Sequence, residues 1–359
     1  MTTIPMPISP HPKLEIEIRP LTRDYDEERC QLLSEVKGGN FFQLPLWRDF
    51  VEGLYGHKPM ELGAWEGEQL VGVFPMMLCR GLSGARKLVS MPFSVYGGPA
   101  GRNLGVQQEL ARGAASMAKG MGVSLVDMRS EEDLDLPDWI GTDLYWTFKR
   151  ELPENPEDVL SLMPKKARAE ARKARKRHGL ELVEGNWYTE DLYRMFLNNK
   201  HTLGSPAPDG EHFARLLEAC GDDVYVHLVR KDSEPLSAVM SFGFGDTLIA
   251  YYAGTAAGAD REYSASNFMY MALQEWASAA GFKSFDFCRS RAGTGAFKFK
   301  VHQGFEPTPL NYRYFLVSAK QKPSFNPSNP KTVILQNTWR RLPRWMVKSL
   351  GKRCYGYLA

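Results

Sequence analysis

Residues 281–306, GFKSFDFCRSRAGTGAFKFKVHQGFE, hold the densest group of side chains able to do chemistry. Lys283–Phe287 brackets one acid, Asp286, with apolar residues, the pattern of a short buried strand. Arg289 to Gly295 follows as a polar, glycine-containing loop, and Ala296–Val301 as an aromatic and basic run. An acid at the end of a buried strand, beside a loop that lets backbone approach a ligand, is a common place to build a site. Arg289 and Arg291 could bind phosphate or carboxylate through charge-assisted hydrogen bonds. Lys300, set among Phe297, Phe299 and Phe305, would be partly desolvated and electrostatically strong. Plainer readings compete: Asp286 paired structurally with Arg289, and Lys300 lying on aromatic rings with its ammonium in water.

Other stretches could supply anion contacts. Ser264-Ala265-Ser266-Asn267 opens a helix with Ser264 or Ser266 as N-cap, and the free N–H groups of such an end attract anions. Lys165 to Gly179 reads as a helix with eight basic residues and one acid between Lys165 and Arg177. Helical spacing puts Arg168, Arg172 and Arg175 on one face, fit for an anionic acceptor or RNA phosphates, or simply solvated. Tyr96 with Gly97 and Gly98, and Tyr251 with Tyr252, could line a groove, although tyrosines in strands more often pack in a core.

The elements that would position these groups occur twice. In each half a glycine ends a helix and an acid follows five positions on: Gly122 to Asp127 and Gly281 to Asp286. Arg129-Ser130 and Arg289-Ser290 come next. Short polar turns, Glu66 to Gln69 and Lys231 to Glu234, mark a hairpin in each half. Two markers at nearly one offset point to a duplicated unit of mixed α/β layout. The expected boundaries are 14–155, 156–318 and a tail at 319–359, with residues 151–164 as the linker.

Composition bounds the rest. The chain has 359 residues, 43% hydrophobic and 24% charged, which suits two globular domains. No apolar run is long enough to span a bilayer, and the N-terminus lacks the apolar core of a signal peptide. Five scattered cysteines and dispersed histidines argue for a reducing compartment and no metal site. The expected location is cytoplasmic. Residues 319–359 carry nine Lys or Arg and no acid, against a net +3 for the whole chain. With Trp339, Leu342, Trp345, Met346, Leu350 and Tyr355, this tail fits a peripheral inner-membrane contact or a strut packed onto the acidic body.

The doubled layout resembles tandem GNAT-fold domains, those of the FemAB group of aminoacyl- and acyltransferases. Gln43 with Trp47, the loop Pro92–Pro99, the basic helix Lys165–His178, Tyr251-Tyr252-Ala253-Gly254, Phe285–Ser290 and Gly293–Lys300 closing on Gly304-Phe305 carry the resemblance. It is nearest to the branch associated with exosortase and exopolysaccharide clusters, with Cys288 standing where that branch has glycine. The resemblance implies an acyltransferase forming an amide on a cell-envelope, peptidoglycan or exopolysaccharide precursor. It implies no tightly bound cofactor, and a donor that is aminoacyl-tRNA or acyl-CoA. An N-acyltransferase acting on an amino sugar and a non-catalytic assembly protein are the alternatives. The acceptor would be a small-molecule, lipid-linked or nucleotide-sugar amine, with tRNA as a further partner. Lys300 would meet charge on the reacting carbonyl and Asp286 would orient or deprotonate the amine. Trp47, Tyr96, Gly97, Gly98, Tyr251, Tyr252, Asn267, Arg289, Ser290 and Phe299 would contact substrate, and Arg168, Arg172 and Arg175 an anion. The glycine-rich pyrophosphate turn of that fold is missing before Ser264, where the sequence is Asp260-Arg261-Glu262-Tyr263. That favours a donor shaped unlike CoA.

Overall fold

The computed structural model describes residues 15–81, 84–323 and 330–358. Chain order in the first half is β1 (Ile16–Pro20), α1 (Asp26–Glu35), α2 (Pro45–Tyr55), β2 (Leu62–Glu66), β3 (Gln69–Phe74), β4 (Met77–Arg80), β5 (Arg86–Val89), β6 (Ala100–Gly101), α3 (Leu104–Met121) and β7 (Leu125–Ser130). There follow β8 (Tyr145–Glu151), α4 (Lys165–His178), β9 (Glu181–Glu184), α5 (Thr189–Leu203), α6 (Gly210–Cys220), β10 (Val224–Lys231), β11 (Glu234–Phe244) and β12 (Thr247–Thr255). The chain ends with α7 (Ala259–Tyr263), α8 (Ala265–Ala279), β13 (Ser284–Asp286), α9 (Gly295–His302), β14 (Asn311–Leu316), α10 (Pro330–Arg341) and α11 (Arg344–Tyr355).

Local sequence explains the boundaries. Asn40 and Gln43 form a reciprocal cap before α2, Pro45 sits at its first turn, and Gly56 closes it in the left-handed region. Asn103 caps α3, accepting from the Val106 N–H, and Gly122 ends it at φ 60°. Both expected hairpins form, with Glu66 opposite Gln69 and Lys231 opposite Glu234. In each, the first loop residue, Gly67 or Asp232, has positive φ, as a two-residue turn on twisted strands requires.

The duplication is real in three dimensions. In the second half β9-β10-β11-β12-β13 are neighbours, with β12 and β13 the parallel pair. In the first, β5 and β7 are the parallel pair, and Val89 lies opposite Asp127 as Ile249 lies opposite Asp286. The two aspartates thus hold equivalent places. The sheets also exchange strands. β8 precedes the second half in sequence yet pairs with β13, placing Lys149 opposite Asp286. β14, near the other end, returns to pair with β7, placing Tyr314 opposite Asp127. Sheet membership therefore crosses residue 155 in both directions.

One of the four apolar clusters among the described residues spans both halves. Phe41 stacks on Phe242 at 4.6 Å between ring centroids, and Trp47, Phe213 and Tyr252 belong to the same cluster. The residues expected to link the halves hold a 3-10 turn at Pro156–Leu162. The tail, whose helices the sequence reading did not assign, joins this core through Trp339 and Val347.

Candidate active site

A strand pair that separates makes the cleft. β12 pairs with β11 along its length, from Thr247 to Thr255, but meets β13 only over Thr247–Ile249. Past that point the strands splay, and a cavity of about 900 Å3 opens, lined by Ala253–Gly258, Met269 and Tyr270 of α8, and Gly295, Ala296 and Phe299 of α9. Asn198 and His201 of α5 form one wall and Arg344 of α11 reaches its rim. Such a splay leaves part of a strand edge available to an extended ligand. Burial pushes the Tyr270 phenol up, so it stays a neutral donor. His201 Nε2 is buried without a hydrogen-bond partner.

The first half shows why only one cleft is open. Its counterpart of β12 is broken into β5 and β6 by residues 90–99, and this loop fills the splay. The Gly98 N–H donates to the Arg129 carbonyl, and Gln43 Nε2 donates 2.7 Å to the Gly98 carbonyl. A Cβ at Gly98 would lie 2.9 Å from Ser130 Cα, so the loop needs glycine to close here. A void of only about 10 Å3 remains. Gly97 and Gly98 thus serve closure of the first half.

At the second cleft, the N-terminus of α8 is already occupied. Asp260 Oδ1 accepts from the Ser266 N–H at 2.7 Å and Oδ2 from the Ser266 hydroxyl at 2.9 Å. The cap is an acid on the preceding helix; Ser264 makes no side-chain cap. A carboxylate at this position opposes binding of a second anion there.

Asp286 lies inside a polar cluster where the halves meet. It is 1% exposed, and its Oδ1 accepts from the Cys288 N–H at 2.7 Å and the Tyr96 hydroxyl at 3.1 Å. Lys149 Nζ stands 3.7 Å from Oδ2 and 2.6 Å from Glu131, over the Tyr96 ring. The Tyr96 hydroxyl also bonds Thr147. Burial works against the Lys149 charge, but Asp286 and Glu131 outweigh it and raise its pKa. The expected partner, Arg289, makes no ion pair with Asp286. Oδ1 is thus engaged on the 286–289 loop and on Tyr96, while Oδ2 faces the Lys149 ammonium. Cys288 takes φ 59° here, the left-handed conformation that a glycine would adopt more easily.

Lys300 is 7% exposed and turns away from the cleft. Phe299, its neighbour on α9, lines the cavity instead. The Lys300 ammonium donates to the Cys288 and Arg289 carbonyls at 3.0 and 3.1 Å and sits 5.0 Å from the Phe287 ring. Burial pushes its pKa down to about 8. The side chain braces the loop that follows Asp286, so the geometry makes Lys300 a positioning residue rather than a donor to substrate.

Arg289 has the opposite character. Its guanidinium lies 4.8 Å from the Tyr145 ring and 5.6 Å from Tyr312, donates to the Tyr312 hydroxyl at 2.9 Å, and has no carboxylate partner among the described residues. Lys200 on α5 is a second cation nearby; burial and the Arg289 charge lower its pKa. Lys200 Nζ lies 5.2 Å from the Phe196 ring and, like Arg289, has no carboxylate partner among the described residues.

The remaining expected contacts separate. Trp47 is fully buried with its indole N–H on the Pro92 carbonyl at 3.1 Å, which removes it from ligand reach. Tyr251 donates to the Phe93 carbonyl and so joins the halves, while Tyr252 bonds His212 Nε2 at 2.8 Å within the second. Asn267 bonds Glu170 at 2.7 Å and also Gln303, tying α8 to α4 and α9. Ser290 is buried with an unpartnered hydroxyl. Arg175 is bound to Glu275, while Arg168 and Arg172 share the outer side of α4, whose Ala167, Ala171 and Ala174 are buried. The sequence reading missed Lys149, Glu131 and Lys200, and named Asp260 without its capping role. Alternation in Tyr145–Glu151 is the signal that could have exposed Lys149.

Residues 162–301 match the family model described as an acetyltransferase (GNAT) domain. The second half carries an acyltransferase domain. No curated protein matches the sequence. Among solved structures, the chain is similar to FemX, at a TM-score of 0.65 and 12% identity, covering 84% of this chain and 98% of that one. A tandem GNAT protein from the clavulanic acid biosynthesis pathway aligns at a TM-score of 0.53 and 12% identity, over 86% of this chain and 100% of its own. The C-terminal domain of a putative lysylphosphatidylglycerol synthetase from Agrobacterium fabrum aligns at 0.52 and 12% identity, over 81% and 92%. At these identities the shared property is the tandem GNAT fold.

Proposed function

We propose that the protein transfers an aminoacyl group from an ester donor in the second-half cleft to an amine on an anionic precursor of the cell envelope. The amine nitrogen attacks the donor carbonyl; a C–N bond forms, the C–O bond breaks, and the amine proton ends on the departing oxygen. Tyr270, neutral and lining the cleft, is placed to donate to that oxygen. Lys300 and Asp286 hold the 286–289 loop, and Arg289 with Lys200 anchors the acceptor's phosphate or carboxylate.

The observation that carries the choice of donor is Asp260 on the α8 N-terminus. The same end would otherwise offer its N–H groups to a pyrophosphate. Fold likeness to FemX and to a domain named for lysylphosphatidylglycerol synthesis supports aminoacyl transfer. The acyl-CoA reading draws on the family match, whose description is acetyltransferase. Incubating the protein with amine acceptors and either aminoacyl-tRNA or acyl-CoA, then following acceptor mass, separates the two. Product from aminoacyl-tRNA alone is expected; product from acyl-CoA alone overturns the proposal.

A further inference from the structure

The tail resolves its two open readings in an unexpected way, because it packs inward and still exposes an apolar surface. Its inner side is anchored to both halves. Tyr355 stacks on Phe93 at 4.9 Å, Arg340 donates to the Thr202 carbonyl at 3.0 Å, and Trp339 and Val347 are 8% and 2% exposed. Its outer side is different. Val333, Ile334, Leu335, Trp345 and Tyr357 are 37%, 66%, 65%, 71% and 46% exposed. These are five of the eleven large hydrophobic side chains exposed among the described residues, gathered in a segment of 29 residues at 330–358. Exposed Arg340, Arg341, Arg344, Lys348 and Arg353 accompany them, and none has a carboxylate partner among the described residues. On α10, Ile334, Thr338 and Arg341 recur at i, i+4 and i+7, opposite to buried Trp339.

We propose that α10 and α11 form a docking surface for an anionic lipid bilayer, lying in the interface with the aliphatic and aromatic side chains inserted and the cations on the headgroups. Charge complementarity requires an anionic partner. The run Val333-Ile334-Leu335 selects lipid over RNA, since aliphatic side chains gain from acyl chains and gain nothing from phosphate or a base edge. No described helix is long and apolar enough to cross a membrane, so the contact is peripheral. Arg344 belongs both to this surface and to the rim of the cleft, so docking would bring the cleft to a lipid-borne substrate. This inference stands apart from the choice of acyl donor.

The test is co-sedimentation of the full chain with vesicles of phosphatidylcholine alone or mixed with phosphatidylglycerol. Binding is expected only to the mixed vesicles, weakening as salt rises, and falling about fivefold for each of Arg341 and Lys348 changed to Gln. Ile334→Ser with Leu335→Ser should weaken binding about tenfold or more at an unchanged melting temperature, because both side chains are already exposed. Trp345→Ala is an independent variant with the same expected direction. Equal binding to both vesicle types, or full affinity in both apolar variants, overturns the proposal. So does tighter binding to RNA than to anionic vesicles with no effect of the Ile334 and Leu335 changes, which would mark an RNA surface instead.

Discussion

Lys300→Met isolates the buried ammonium that braces the 286–289 loop. The folded-state pKa of Lys300 is lowered to about 8 from the ordinary 10.5. At neutral pH both folded and unfolded chains hold the proton, and the folded state bears the cost of an ammonium taken from water. Between pH 8 and pH 10 the folded chain releases that proton while the unfolded chain keeps it. The contribution of Lys300 to stability therefore rises with pH across this window, by roughly 2–3 kcal/mol. Raised thiol and tyrosine pKa values, such as those of Cys288 and Tyr96, act in the other direction from about pH 9 upward, where the unfolded groups ionise, and the comparison with the variant removes what the two proteins share. Lys300→Met keeps an unbranched side chain one atom shorter and removes both proton and charge. It leaves the carbonyls of Cys288 and Arg289 without this donor, a loss of about 1–3 kcal/mol where the acceptor stays buried. Urea unfolding of both proteins at pH 7, 8, 9 and 10 reads the difference. The native chain should gain roughly 2–3 kcal/mol on the variant from pH 8 to pH 10. Parallel curves would refute the assignment of a desolvated ammonium to position 300.

Asp260→Ala should lower unfolding stability by about 1 kcal/mol through loss of the α8 cap, and should let inorganic phosphate raise the melting temperature more than in the parent; equal phosphate response would count against the occupied helix end. Gly254→Ala places a Cβ 2.5 Å from the Phe196 nitrogen and should cost roughly 1–3 kcal/mol in urea unfolding, because backbone of α5 cannot yield as a side chain tip would. Arg289→Gln should raise KM for an anionic acceptor about tenfold or more with kcat little changed, and an unchanged KM would remove it from the anion site.

The sequence by itself carried the duplication, because a strand that ends on an acid after a glycine-capped helix leaves the same local signature each time it is used. It also carried both hairpins and the basic helix, whose Ala167, Ala171 and Ala174 are buried. Local pattern could not say which side of α9 faces the cleft, since Phe299 and Lys300 are adjacent and both sit among aromatics. Packing of α9 against the 286–289 loop decided it, and turned the expected catalytic lysine into a brace. Nor could pattern disclose the strand exchange that brings Lys149 across from Asp286, because pairing between β8 and β13 joins residues far apart in the chain. Asp260 became a cap only when the short helix α7 folded back onto α8. Which half keeps its strand splay open was likewise a tertiary outcome: both strand pairs separate, and in the first the 90–99 loop, close-packed at Gly97 and Gly98, fills the gap.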